Sequence, residues 1–159
     1  MSMKLVTRGD REVVITRDFN APRDRVFDAM MKPELIRQWL LGPPGWTMPV
    51  CDVDLRVGGQ YRYVWRSADG AEMGMGGVFQ EVNPPEKVVC SQLFDEDWTG
   101  GEAIGTLVLV EKNGKTTMTN TVRYASPEAR EAVLKTPMEM GMAMGYDRLD
   151  GVLAKLKAS

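Results

Sequence analysis

Apolar and polar residues alternate from Val50 to Trp65, and the alternation is interrupted at Gly58-Gly59. A period of two places the apolar side chains of a strand on one face, and two such runs joined by a glycine pair are typical of a β-hairpin. The second run carries large aromatic side chains on its apolar face, namely Tyr61, Tyr63 and Trp65. Such a face suits either a hydrophobic core or the wall of a ligand pocket.

The segments that precede this hairpin predict one strand and two short helices. Residues Glu12 to Phe19 alternate as a strand does. Pro22 and Pro33 each suit the first position of a helix, because the missing N–H is not needed there. Apolar residues recur at helical spacing after both prolines, and the run from Gly42 to Gly45 ends the second helix.

Turn signals divide the chain between the hairpin and residue 123 into further strands. Asn113-Gly114 is the strongest of them, because a type I′ turn needs positive φ at both central residues. One strand before the helices and six after them predict an antiparallel sheet of seven strands. Residues 1–10 are expected to be frayed.

The last segment predicts one long amphipathic helix that starts near Thr136 and extends to about Lys157. Its apolar positions recur with a period near 3.6 residues, and they would cover the apolar side of the sheet, which must be buried. We therefore predict a single α+β domain over residues 1–159, in which this helix packs over a curved sheet. The apolar stripe of the helix comprises Met138, Met142, Gly145, Leu149, Val152, Leu153 and Leu156.

Composition restricts the class of protein. The chain has 159 residues, a net charge of -2 and no Lys/Arg run that could follow a phosphate backbone, so nucleic acid is not an expected partner. No apolar run reaches the ~18 residues of a membrane span, so we expect a cytoplasmic protein without a membrane partner. Cys51 and Cys90 lie in apolar runs, and no histidine could complete a zinc site. We expect two reduced core cysteines and neither metal nor cofactor.

The sequence predicts no catalytic residues. Without histidine, a Ser or Cys nucleophile lacks its conventional base near pH ~7. The carboxylates along the strands cannot be paired from the sequence, so general-base catalysis would need a carboxylate whose pKa is raised by burial. We therefore favour a binding protein over an enzyme.

The aromatic face and the methionines near the helix form the candidate ligand site. Tyr and Trp tips need polar partners that a ligand or cavity water can supply, and Met adapts to varied ligands; ordinary core packing is the alternative. Gly141 and Gly145 either open space above the sheet or allow the helix to approach it closely. The candidate ligand-binding residues are Trp39, Trp46, Tyr61, Tyr63, Trp65, Phe79, Phe94, Trp98, Met118, Met138, Met142 and Gly145.

Two surface features leave alternatives open. Met140 and Met144 lie opposite the apolar stripe of the helix, which predicts that a dimer contact or a neighbouring loop covers them. Arg62, Arg66 and Arg123 are expected to face solvent, and in the opposite phase one of them could bind a ligand carboxylate. A monomer and a homodimer are both compatible with the sequence.

Four segments of the chain, in order, resemble segments of a known superfamily. They begin with RDFNAPRDRVFDAMMKPELIRQWL (residues 17–40) and DVDLRVGGQYRYVW (residues 52–65), and continue with GGVFQEVNPPEKVV (residues 76–89) and GYDRLDGVLAKL (residues 145–156). The chain resembles the START-like superfamily (SRPBCC, the helix-grip fold). Within it, the chain is similar to the family of the domain related to the C-terminal part of the activator of the 90-kDa heat-shock-protein ATPase.

This resemblance implies a helix-grip fold with a cavity between sheet and helix, which the superfamily uses for lipids, sterols and polyketides. The family shares no catalytic motif, but some branches of the superfamily are cyclases, so the resemblance also implies an enzyme of the cyclase or dehydratase type as a further alternative. Contact with a chaperone in the stress response, as a protein-interaction module without a ligand, is the alternative that the resemblance implies. Because the resemblance covers only the C-terminal module of the co-chaperone, we expect no stimulation of a chaperone ATPase by this chain alone. The expected function is binding of a small apolar or amphipathic ligand.

Overall fold

One antiparallel sheet organises the protein. The computed structural model describes residues 2–41, 44–96 and 100–158, with residues 157 and 158 described by their backbone alone. Within these ranges the sheet has eight strands, accompanied by four helices. The strands are β1 (Lys4–Arg8), β2 (Glu12–Phe19), β3 (Thr47–Val53), β4 (Gln60–Arg66), β5 (Glu72–Asn83), β6 (Lys87–Phe94), β7 (Ala103–Lys112) and β8 (Lys115–Arg123). The helices are α1 (Arg23–Met31), α2 (Pro33–Ile36), α3 (Pro127–Leu134) and α4 (Met138–Ala158).

The strands are arranged in the order β1-β2-β8-β7-β6-β5-β4-β3. After β2 the chain passes through α1 and α2 to the opposite edge, and β3 to β8 return as a meander that places β8 beside β2. The predicted tight turn at Asn113-Gly114 joins β7 to β8, and its φ angles of 55° and 76° are of the sign that a type I′ turn requires. The predicted α+β class and C-terminal helix are confirmed.

The predicted count of seven strands is wrong, and the additional strand is β1. Its five residues lie in the segment that was expected to be frayed, yet they pair with β2 from Lys4↔Thr16 to Arg8↔Glu12. β1 is an edge strand whose side chains are mostly exposed, so it has little hydrophobic alternation by which to be recognised. Backbone pairing and the 2.8 Å Arg8–Glu12 ion pair hold it in place, whereas burial holds the inner strands.

The core lies between α4 and the face of the sheet that α4 covers, which we call the inner face. β2 contributes Ile15 and Phe19 to it, and α4 contributes Leu149, all of them buried. Phe19 packs edge-on against Tyr146 of α4, with ring centroids 5.8 Å apart. The predicted apolar stripe is therefore the side that α4 turns towards the sheet, and its first turn is less completely buried than the rest.

Candidate ligand-binding site

Four aromatic rings form a continuous row on the inner face, along β4 and onto β5. The ring centroids of Phe79 and Tyr61 are 5.4 Å apart, those of Tyr61 and Tyr63 5.1 Å, and those of Tyr63 and Trp65 5.8 Å. Residues at alternate positions of a strand share a face, which is why β4 presents three rings side by side. The structure thus brings together the four residues of the candidate site that lie on these two strands.

The polar tips of this row are not equally satisfied. The Tyr61 hydroxyl donates a hydrogen bond to the Ser91 carbonyl at 2.6 Å, and the Trp65 indole N–H donates to the Leu40 carbonyl at 2.8 Å. Tyr63 is half-buried, and its hydroxyl has no hydrogen-bond partner among the residues that the structure describes. The hydroxyl is not a fully buried orphan, so it is accessible and can donate a hydrogen bond to a ligand or a water molecule.

Burial keeps the titratable groups of this region neutral. Burial raises the pKa of the Tyr61 and Tyr63 phenols far above their ordinary value, so both keep their protons near neutral pH. Burial likewise raises the pKa of the Cys51 thiol to about 11 and raises the pKa of the Cys90 thiol. Thiols in this state are poor nucleophiles, and the row therefore presents uncharged groups.

The buried core near this row is divided into two clusters. The main cluster fills the space between α4 and the sheet, and a small one consists of Ile36, Met48, Cys51 and Trp65. Partly buried side chains pack against both clusters, so the boundary between them is incompletely closed. These boundary residues are Leu40, Val53, Tyr63 and Met75.

The centre of the inner face is also incompletely buried. Cys90 on β6, Leu107 on β7 and Asn120 on β8 are only half-buried, although they lie on the central strands beneath α4. Their neighbours on the same face are much better buried. Leu109, two residues from Leu107, is 1% exposed, and Met118, two residues from Asn120, is 0% exposed. A close-packed core would bury the central positions at least as well as these neighbours. These three central positions are therefore packed less closely than their neighbours on the same strands.

A second aromatic group lies at α4, and sequence reasoning missed one of its members. Trp39 donates its indole N–H to the Ala29 carbonyl at 2.9 Å and stacks on Tyr146 at 5.8 Å. A Cβ on Gly145 would lie 3.3 Å from the Trp39 carbonyl oxygen, so this glycine allows α4 to approach the segment after α2. Tyr146 lies four residues after Met142, and this helical spacing could have identified it.

Arg17 is the second residue that sequence reasoning missed. Its side chain is 1% exposed, and it donates two hydrogen bonds to Asp150, at 2.9 and 2.7 Å, and one to Asp147, at 3.0 Å. The guanidinium also lies 4.8 Å from the centroid of the Phe19 ring. Arg17 is in phase with Ile15 and Phe19 on β2, so strict alternation places it on the inner face.

The remaining members of the candidate site are not all brought together. Phe94 lies opposite Met75 in the pairing of β5 with β6 and is half-buried, as is Trp46, which packs against the small cluster. Met118 is fully buried in the closed part of the core. Trp98 lies outside the described residues. Met138 and Met142 are half-buried on the first turns of α4, above the partly open centre of the sheet.

Arg62, Arg66 and Arg123, for which the sequence left open the side of the sheet that they face, all face solvent. Arg62 is exposed and forms two hydrogen bonds with Asp95, at 2.9 and 2.7 Å. Arg66 is exposed and pairs with Glu72, and Arg123 is exposed near the end of β8. These side chains therefore lie on the face of the sheet opposite to α4. Within the described ranges, no helix is both long and apolar enough to cross a membrane.

Two recesses open at the surface. A groove of about 610 Å³ runs between the N-terminal segment and the start of α4, and a recess of about 180 Å³ lies at the turn between β1 and β2. Neither is lined by a described residue of the candidate ligand site. The groove is lined by Ser2, Met3, Arg17, Pro137, Glu139, Met140, Ala143 and Asp147.

Comparison with known proteins agrees with this architecture. The family described as "Activator of Hsp90 ATPase homolog 1-like protein" matches residues 20–154. A comparison with curated proteins gives no match. A crystal structure from Rhodobacter sphaeroides is similar with a TM-score of 0.92 and 33% identity, over 98% of this chain and 99% of that one.

Two further crystal structures extend the comparison. One from Mycobacterium smegmatis has a TM-score of 0.82 and 26% identity, over 94% of this chain and 95% of that one. One from Nitrosomonas europaea has a TM-score of 0.84 and 21% identity, over 96% of this chain and 99% of that one, and shows the shared fold. With its eight-stranded sheet and C-terminal helix, this chain belongs to the family of Activator of Hsp90 ATPase homolog 1-like proteins in the START-like superfamily.

Proposed function

We propose that the protein binds a small apolar or amphipathic molecule between the inner face of the sheet and α4. The observation that carries this proposal is the incomplete burial of Leu107 and Asn120 at the centre of the sheet, between positions that are fully buried. The hydroxyl of half-buried Tyr63 supports it, because no described residue engages this group and it can donate a hydrogen bond to a ligand. A largely apolar wall with a few polar groups is the usual composition of a small-molecule site.

The proposed entrance is the boundary between the two core clusters. Tyr63 and Met75 pack against both clusters without being fully buried, so a modest outward movement of these side chains would admit a ligand. Met75 is opposite Phe94, and both are half-buried. Long or flexible side chains at this boundary can rearrange at low cost in packing energy, which suits the entrance to a site.

Two substitutions on β7 distinguish an open space from a filled core. Leu107→Trp would add volume where the proposal places the ligand, at a half-buried position, whereas Leu109→Trp would add it to a closed part of the core. Overpacking a closed core costs about 1–3 kcal/mol, so we expect Leu109→Trp to lower the free energy of unfolding by that amount and Leu107→Trp to change it less. We also expect Leu107→Trp to abolish binding of the neutral dye Nile red.

Native mass spectrometry of gently purified protein provides the second measurement, because a retained ligand appears as a mass adduct. We expect the adduct in the wild type and its loss in the Leu107→Trp variant. If Leu107→Trp destabilises the protein as strongly as Leu109→Trp, and neither adduct nor dye binding is found, the space beneath α4 is ordinary core and the proposal is wrong.

A contact between two copies of the chain is a second candidate, supported by one exposed side chain. Met140 on α4 is 67% exposed and lines the open groove, while Met144 is half-buried. Replacing both by Glu would place charges in an apolar contact, so a dimer formed there should dissociate to a folded monomer. Sedimentation of the wild type at high concentration tests this directly, and a monomer there would rule the contact out.

A further inference from the structure

The scarcity of buried charge limits the ligands that the interior can accept. Arg17 alone is charged among the buried residues that the structure describes; it lines the surface groove, and its guanidinium is held by Asp147 and Asp150. A ligand carboxylate or phosphate placed in the interior would therefore meet no uncommitted cation. Burial of a charge without a partner is strongly unfavourable, so an anionic head group is excluded from the interior.

The hydrogen-bonding groups of the interior indicate which uncharged ligand groups could bind there. The tips of Tyr61, Trp65 and Trp39 are committed to backbone carbonyls. The Tyr63 hydroxyl is free of partners in the described part of the chain, and it stays protonated, so it can donate. The half-buried amide of Asn120 is committed as well, because it is hydrogen-bonded to the Tyr146 hydroxyl.

We propose that the ligand is an uncharged apolar molecule with a carbonyl or ether oxygen that accepts a hydrogen bond from the Tyr63 hydroxyl. This inference rests on the proposed function and narrows it from apolar or amphipathic ligands to neutral ones. Ketones and esters satisfy both conditions, since their oxygen accepts a hydrogen bond without carrying a charge.

Competition against Nile red tests the inference with ligands of equal carbon number. Methyl nonyl ketone carries the acceptor, undecanoate carries a charge and undecane carries neither. We expect the ketone to displace the dye at a concentration at least about tenfold lower than undecanoate does, because the charge must be desolvated. Tyr63→Phe should weaken ketone binding about fivefold, the loss of one neutral hydrogen bond, and should leave undecane unchanged.

The matched control is Tyr124→Phe, which removes another buried phenol outside the candidate site. It should leave the affinities for ketone and undecane unchanged, and thermal unfolding of both variants verifies that they are folded. Undecanoate binding as tight as ketone binding, or equal ketone affinity in wild type and Tyr63→Phe, would overturn the inference while the proposed function stands. If Nile red and all three competitors fail to bind, the proposed function and this inference fall together.

Discussion

The guanidinium of Arg17 on β2 holds the carboxylate of Asp150 on α4 through two hydrogen bonds, 2.9 and 2.7 Å long. A fork of this kind fixes the direction as well as the distance between the two groups. It links the strand next to the edge of the sheet to the helix that covers the inner face. Because Arg17 is 1% exposed, its charge depends on these carboxylates rather than on water.

Asp150→Asn should weaken this link. The variant removes the charge and one acceptor from a pair that is buried on the Arg17 side, while the Asp150 side chain is 42% exposed. We expect the free energy of unfolding to fall by about 1–2 kcal/mol, measured by urea denaturation. Asp147→Asn is the control: its side chain is 72% exposed, and the loss should stay below about 0.5 kcal/mol. Equal losses of unfolding free energy in the two variants would contradict the larger contribution assigned to Asp150.

Two glycines of α4 should respond differently to alanine. A Cβ at Gly141 meets no atom within 4 Å, whereas at Gly145 it would lie 3.3 Å from the Trp39 carbonyl oxygen. Gly141→Ala should therefore stabilise the protein by about 0.5–1 kcal/mol through helix propensity. Gly145→Ala should be less stable than Gly141→Ala by at least about 1 kcal/mol, because the tight contact offsets that gain. Thermal unfolding of both variants tests the difference, and similar stabilities would disprove the close approach.

The four tyrosines should titrate only when the protein unfolds. Burial raises the pKa of Tyr124 and of Tyr146 to about 12, and it raises the pKa of Tyr61 and Tyr63 further. In the unfolded chain a phenol ionises near pH ~10, so the folded state is stabilised below that pH and loses this contribution as pH rises towards 12. We expect cooperative alkaline unfolding that coincides with the tyrosinate absorbance change.

The reference for this titration is the protein in denaturant, where all four phenols should ionise near their ordinary value. Circular dichroism recorded alongside the absorbance reports unfolding independently. A tyrosinate signal near pH ~10 from protein that is still folded would show that at least one phenol is exposed to water.

Cys90 should report on the space beneath α4. It is half-buried on the inner face, whereas Cys51 is 3% exposed. The small neutral reagent N-ethylmaleimide should therefore modify Cys90 first, and its rate should still rise above pH 9.0 because burial raises the thiol pKa above that value. Mass spectrometry of the peptides measures both sites.

A bound neutral ligand should slow this reaction at Cys90. Cys51→Ala provides the matched control, since it removes the other thiol and should leave the Cys90 rate unchanged. If the interior excludes charge as proposed, a charged thiol reagent should react far more slowly than N-ethylmaleimide. Equal rates for the charged and neutral reagents would show that Cys90 is reached from the outer surface.

Local patterns predicted most of the architecture. The alternation in β2 and β4, the turn at Asn113-Gly114 and the helical stripe of α4 are properties of short segments, so they are visible without the fold. β1 was missed because an edge strand is held by backbone pairing, which leaves little hydrophobic signal in its side chains. Tyr146 was missed although its helical spacing identifies it.

The sequence by itself determined that Tyr61 and Tyr63 share the apolar face of one strand, because a strand has a period of two. Only the tertiary structure decided that their hydroxyl groups differ in hydrogen bonding. The Ser91 carbonyl, 30 residues beyond Tyr61 and on β6, accepts the Tyr61 hydroxyl, and the described residues offer no such acceptor to Tyr63. Hydrogen-bond partners of this kind depend on the register of strands that are distant along the chain, and no local pattern specifies that register.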